Sequence, residues 1–558
     1  LVEYELLRQV ADPDASLDRD ETVIGFQFVK DHPQQCGLPV PVSTDEANLF
    51  TSLDEAPSIL EEDLLTKCLA NALYLKHVFS RIVSYRFLVL WREKRGRERV
   101  FSMIRILSLV FLAWFLLWGI RYMDSKGWIP ADRARLPYMQ QVAGDRAIVA
   151  WRTSQRHPSG ARLEWGFEQD SGTGPIEWEK TTGESIPSNH NPSYCDHHVL
   201  LTGLPSGRKI RYRAFNDSHF IGEGQFRTDP GPDFDGPIRA WILGDSGTGS
   251  PVQYAVRDSM LGHLADLPLD MLVHVGDMAY SKGRDGEFTA RFFRPYRSLL
   301  SSTPCWPAPG NHEMKRADSA TQSGPYFEAF ILPKEGECGG VASGTEAYYS
   351  FDYGPIHFIS LDSSGDAIDP GGAMLAWLEE DLSATDRRWI IAFFHHPPYS
   401  RGSHSSNKFR DSHGRLVKMR EVAVPVLEAG GVDLVLAGHS HVYERSALIQ
   451  GVYGYGEPPS HPVTDRELLR SEGKILQWDG DTYHQMGSLG TVYSVIGNGG
   501  AEVKKTGVHP VMVSTRAING SALLTIERDR LLFESVSIAG EVLDQIVIDR
   551  SPQRFAND

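Results

Sequence analysis

Five short segments between residues 244 and 441 carry side chains suited to hard cations. They are Gly244-Asp245-Ser246-Gly247, Gly276-Asp277-Met278-Ala279-Tyr280, Gly310-Asn311-His312-Glu313, His395-His396-Pro397-Pro398-Tyr399 and Gly438-His439-Ser440-His441. Carboxylate and amide oxygens together with imidazole nitrogens are ligands for divalent and trivalent first-row ions. Two such ions ~3.5–4 Å apart repel unless an anion lies between them, so a two-ion site needs a bridging carboxylate. The aspartates, the asparagine and the histidines of these segments meet both needs as a set. Taken singly each is weak, since Gly-Asp turns are common and Gly247-Thr248-Gly249 lacks the Gly-Lys-Ser/Thr of a phosphate-binding loop.

The elements that would position them are short. Apolar runs predict strands over 238–243, 271–275, 348–351, 356–361, 389–394 and 432–436, and again over 522–528, 531–538 and 542–548. Helical spacing is expected over 252–267, 374–382 and 416–427. This alternation is that of a layered α/β domain, in which ligands collect beyond the carboxyl ends of strands. Each cation-binding segment follows such a strand, or the short run 303–309 in the case of Asn311. A glycine beside most of them allows close approach of backbone or ligand.

In their order the segments GD-x-G, GD-x-x-Y, GNH-E, H-x-P-x-Y and GH-x-H resemble the calcineurin-like metallophosphoesterases, and most of all the purple acid phosphatases. Tyr280 distinguishes the latter. The resemblance covers about residues 136 to 548, including His441-Val-Tyr-Glu-Arg445, Gly497-Asn-Gly-Gly500 and Gly540-Glu-Val-Leu-Asp544. It implies a four-layer α/β/β/α metallophosphoesterase sandwich over 237–550, preceded by a small all-β fibronectin-type-III-like domain over 136–230. It also implies that Asp245, Tyr280 and His441 hold the first metal, that Asp277 bridges, and that Asn311, His395 and His439 complete the second. His395 is preferred to His396 because the family's histidine stands two residues before the proline. A hard anionic set with a phenolate favours Fe(III) in the first position, and an amide with two imidazoles suits Zn(II), Mn(II) or Fe(II) in the second. His312 and His404 are the expected catalytic side chains, contacting phosphate or protonating the leaving oxygen. Ser405 stands where plant-type members have a second histidine.

The region 136–230 supports the all-β expectation through alternation at 146–151, 161–165 and 209–214, separated by turn residues. His190, Cys195, His197 and His198 fit no common structural zinc spacing and read as strand and loop residues. His274 and His357 read as satisfied sheet histidines, and Glu313 as a support for its loop. Upstream, residues 106–120 read ILSLVFLAWFLLWGI between Arg105 and Arg121. With its flanks, 104–123 approaches a membrane span. Arginine and lysine crowd its N-terminal side, which places later residues outside the cytoplasm. Met103 opens an alternative signal-peptide layout. Residues 1–103 carry no motif and read as a partly disordered cytoplasmic or non-native extension.

Lys+Arg 56 against Asp+Glu 72 gives a formal charge of −16, which argues against a nucleic-acid polymer as partner. The 5 cysteines are too few and scattered for a disulfide scaffold, although in an exported protein Cys305 and Cys338 are open to pairing. The expected function is therefore an exported, extracytoplasmic, metal-dependent phosphoric monoester hydrolase acting on a small phosphate ester through metal-activated hydroxide. A phosphodiesterase or nucleotide pyrophosphatase with the same dinuclear site is the alternative. A membrane-anchored adhesion protein with a decayed enzyme is disfavoured, because every ligand position is filled. Asn216 and Asn519 begin Asn-x-Ser acceptor sequences.

Overall fold

The computed structural model describes residues 134–550 apart from 155–159, 170–173, 366–367, 455–473, 478–481, 485–489 and 505–506. The extension 1–103 and the apolar run 104–123 lie outside the described residues. Among those described, no helix is long and apolar enough to cross a membrane.

The β-rich region is a sandwich of two four-stranded sheets. Strand Lys209–Asn216 shows the physics clearly: its even-numbered residues, Ile210 to Asn216, are buried and its odd-numbered ones are not. That is the period-2 pattern of a sheet with one dry face. Its inward Ile210, Tyr212 and Ala214 meet Met139, Val149, Trp151 and Val199 of the other sheet in one core. His197 packs on Trp151 at 5.5 Å and hydrogen-bonds the Thr153 and Ser185 hydroxyls, each at 2.8 Å, as a structural histidine. Asn216 is fully buried and its Oδ1 accepts the Trp151 indole N–H at 2.8 Å, so this acceptor sequence is closed to glycosylation in the folded chain. The Asn519 amide is also engaged, donating to the Asn498 and Ala501 carbonyls at 2.9 Å.

A polar seam joins the sandwich to the α/β region. Arg135 and Arg152 have fully buried side chains and both reach Asp285; Arg152 also grips Asp196 at 2.6 and 2.7 Å. Asp229, just before Pro230, accepts the Gly231 and Gly354 N–H groups at 3.0 and 2.7 Å and pins the linker.

The α/β region contains two seven-stranded sheets. In the first, Cys305–Pro307, Met271–His274 and Ile238–Leu243 run parallel. In the second, Ile356–Ser360, Trp389–Phe394, Leu434–Ala437 and Val492–Ile496 run parallel. Strand Trp389–Phe394 splits its side chains between two cores. Trp389, Ile391 and Phe393 face the other sheet, whereas Ala392 and Phe394 face helices Ala373–Ala384 and Val424–Ala429. Helix Pro251–Leu264 covers the first sheet with Val256, Met260 and Leu264. The layers are therefore helix, sheet, sheet, helix, as expected. That helix starts where Ser250 caps the Gln253 N–H and Pro251 supplies a preset φ.

One expected helix differs. The stretch 416–427 is broken into Arg415–Lys418, a π-helical turn at Met419–Ala423 and Val424–Ala429. Pro425 lacks an N–H and cannot continue the regular ladder, which accounts for the widened turn before it. Cys305 and Cys338 are buried free thiols, so no bridge joins them.

Candidate metal centre

Parallel strands end on the same side, and the five segments follow the ends of Ile238–Leu243, Met271–His274, Cys305–Pro307, Trp389–Phe394 and Leu434–Ala437. The chain must turn sharply there to aim side chains inward. Asp245, Asp277 and His439 accordingly take positive φ values of 53°, 59° and 65°. Such values are uncommon outside glycine, and their clustering marks a functional site. A Cβ on Gly276, itself at φ 97°, would lie 2.5 Å from His395 Nδ1. Only glycine lets that loop sit against the imidazole.

The side chains converge as two adjoining groups. In one, the Tyr280 hydroxyl lies 2.9 Å from Asp245 Oδ1 and 3.2 Å from His441 Nε2. In the other, Asn311 Oδ1 lies 2.9 Å from His395 Nε2 and 3.0 Å from His439 Nδ1, and those two nitrogens are 3.2 Å apart. Asp277 joins them: its Oδ1 is 3.5 Å from His395 Nε2, and donor atoms of Asp245, Asp277 and His395 all lie within 4.8 Å of one another. All seven residues singled out from the sequence meet here.

Their far sides are tethered. His395 Nδ1 faces the Val275 carbonyl at 2.9 Å and His441 Nδ1 the Glu502 carbonyl at 3.2 Å. These bonds leave Nε2 of each ring toward the cluster, the arrangement usual for imidazole ligands. His396 turns away, with Nδ1 3.0 Å from the Ser363 hydroxyl and its ring against His439 at 4.4 Å.

The electrostatics are those of a cation site. Asp245 and Asp277 are buried, and among the described residues neither pairs with a lysine or arginine. Buried carboxylates need a compensating positive charge. Burial works against ionisation of Asp277, yet His395 and His312 hold its carboxyl below the usual range. Burial also works against a charged His395, but Asp277 and Asp245 push it up to about 9. The Tyr280 phenol is pushed well above its ordinary value by burial and by Asp245 and Asp277. The carboxylates thus draw positive charge toward the cluster, and bound cations would supply it at the same donors. The oxygen and imidazole donor set fits two ions.

His312 lies at the edge. Its backbone N–H donates to Asp277 Oδ1 at 2.9 Å, and its ring meets Tyr280 edge-on at 4.5 Å. His404 stacks on His439 at 4.1 Å, with Nδ1 2.8 Å from Asp411 Oδ1. Glu313 is fully buried and accepts the N–H groups of Asp277, Ala279 and Gly310 at 2.7, 3.0 and 3.0 Å. It ties two site loops together, as its expected supporting role requires. Burial and Asp277 push its carboxyl up to about 8. The sequence did not single out Ser363, Asp411 or Ser412. No local motif marks them, because each meets its partner only through the fold.

Comparison with known proteins agrees with this geometry. The calcineurin-like phosphoesterase family matches residues 238–443. Purple acid phosphatase 23 of Arabidopsis thaliana is 29% identical over 364 residues, covering 58% of this chain and 74% of that protein. Probable purple acid phosphatase 20 of the same plant is 32% identical over 308 residues, covering 52% and 67%. Among solved structures, a purple acid phosphatase from yellow lupin (Lupinus luteus) seeds superposes with a TM-score of 0.58 at 20% identity, over 74% of each chain, a likeness of fold.

Proposed function

Because the chain belongs to the purple acid phosphatases and is a hydrolase of phosphate esters, we propose that it is a dinuclear phosphoric monoester hydrolase of acid-phosphatase type. The observation that supports this most is the pair of donor groups joined at Asp277. Asp245, Tyr280 and His441 would hold Fe(III), Asn311, His395 and His439 would hold Zn(II), Mn(II) or Fe(II), and Asp277 would stand between the two. Ions bound there supply Lewis acidity, lowering the pKa of water and offsetting charge on the phosphoryl group.

The chain's own residues do the rest. His312 stands beside Asp277 with its ring 22% exposed, placed to contact a phosphoryl oxygen. His404 is fixed through Nδ1 by Asp411, which leaves Nε2 as the atom to give a proton to the departing oxygen. Glu313 and Val275 keep the loops and the His395 ring in place while charge develops. The β-sandwich is fibronectin-type-III-like and braces helix Asp285–Phe288 through Arg135 and Arg152. The catalytic part works outside the cytoplasm, on the strength of the apolar run at 104–123 and its basic flank.

The test is hydrolysis of p-nitrophenyl phosphate against its bis-ester by the full chain, across acid to neutral pH. Faster monoester cleavage with an acidic optimum is the expected result. Faster diester cleavage would move the function to a phosphodiesterase with the same centre.

A further inference from the structure

The loop after His395 contains a turn that the chemistry so far does not explain. Ser412 and His413 have φ/ψ of 49°/37° and 58°/29°, and Gly414 follows with φ 79°. Two successive non-glycine residues in the left-handed region are uncommon. The turn delivers the Ser412 hydroxyl to 2.6 Å from His439 Nε2. Ser412 in turn donates to Asp411 Oδ1 at 3.0 Å. Asp411 is itself fixed, its Oδ2 accepting the Ser405 N–H at 2.9 Å and its Oδ1 facing His404 Nδ1 at 2.8 Å.

Proton accounting gives this chain of contacts a direction. His439 turns Nδ1 toward Asn311 and His395, so Nδ1 must be bare to bind a cation. The ring proton then sits on Nε2, whose partner is the Ser412 oxygen. The serine proton is left for Asp411, an acceptor.

We propose that Ser412 is a positioning residue for the second ion, relaying the Asp411 carboxylate to His439 and fixing which imidazole nitrogen faces the centre. This rests on the ligand assignment proposed above. It places a hydroxyl where many metal sites use a carboxylate directly on the histidine. The effect is selective, because His441 and His395 have carbonyl partners of their own.

The experiment uses the full chain and its Ser412→Ala, Ser412→Gly and Ser412→Asn variants. Ions per chain are measured after dialysis against graded chelator, with visible absorbance following the tyrosinate-bound ion. The parent is expected to hold two ions. Ser412→Ala and Ser412→Gly are expected to hold the second ion ~10–100-fold more weakly while the colour persists. Glycine relieves the left-handed turn, so metal-free Ser412→Gly should melt at or above the parent. A serine with only a structural role would lose nothing in that variant. Ser412→Asn, which tolerates the same backbone and restores a hydrogen-bonding group, should regain most of the affinity. Ser412→Gly holding the second ion with the parent's affinity would overturn the inference alone. A parent that never binds a second ion would overturn the two-ion reading and the inference with it.

Discussion

Two buried charge clusters in this chain use similar residues to opposite ends. At the seam, Asp285 meets Arg135 and Arg152, and Arg152 also takes Asp196. At the centre, among the described residues, Asp245 and Asp277 meet histidines and Tyr280 and no lysine or arginine. A guanidinium is a permanent cation with a fork that matches a carboxylate, so the seam carries its own countercharge as folded. The centre has carboxylates without a permanent cation, an arrangement that is costly unless ions complete it. Whether the chain brings its own positive charge separates a joint from a receptor.

The sharpest way to break this comparison is to remove a carboxylate from the centre. Asp277→Ala should reduce hydrolysis by more than ~100-fold, beyond the effect typical of an outer-shell partner. Both metals should fall by elemental analysis. Retained activity would sink the bridging role. At the seam the same logic predicts a stability effect. Arg152→Ala leaves Asp196 without its guanidinium and should cost about 3 kcal/mol in denaturant unfolding, with metal content per folded chain unchanged. Metal loss there would show that the two clusters are coupled.

His357 offers an intermediate case, a buried histidine 2.8 Å from Asp352 and 2.9 Å from Asp381. Burial opposes its charge, but the two carboxylates push it up to about 9. A raised folded-state pKa stabilises fully below the unfolded value of about 6.5. That contribution is lost as pH rises through about 9. Melting temperature should therefore decline over that alkaline window, by on the order of 3 kcal/mol in stability. His357→Gln should flatten the decline, and an identical profile in the variant would refute the pairing.

Two smaller effects sharpen the centre itself. Tyr280→Phe should bleach the visible absorbance while metal content stays largely intact, and an unchanged spectrum would remove Tyr280 from the ligands. His396→Ala should lower activity less than His395→Ala, because His396 bonds Ser363 and reaches the centre by packing on the His395 and His439 rings. The reverse order would mean that the wrong histidine has been assigned.

The centre was legible because its chemistry is local. Asp245, Asp277, Asn311, His395 and His439 each lie just past a strand end, four of them beside a glycine, so strand pattern and residue type sufficed. The layering was legible for the same reason, since alternating burial follows from alternating residues, as in Lys209–Asn216. The supporting contacts were not. Ser412 reaches His439 and Ser363 reaches His396 across loops, and no spacing rule links them. Glu313 was singled out as a support, but not the two loops that it ties. The π-helical turn before Pro425 escaped because apolar periodicity does not register one extra residue in a helix.

The left-handed backbone at Asp245, Asp277 and His439 has a consequence for how this protein matures. Each of these residues is clamped between paired strands and a tight loop, so its direction is settled when the sheets assemble. The fold itself therefore aims these donors, and ions bound there would meet side chains already directed toward them.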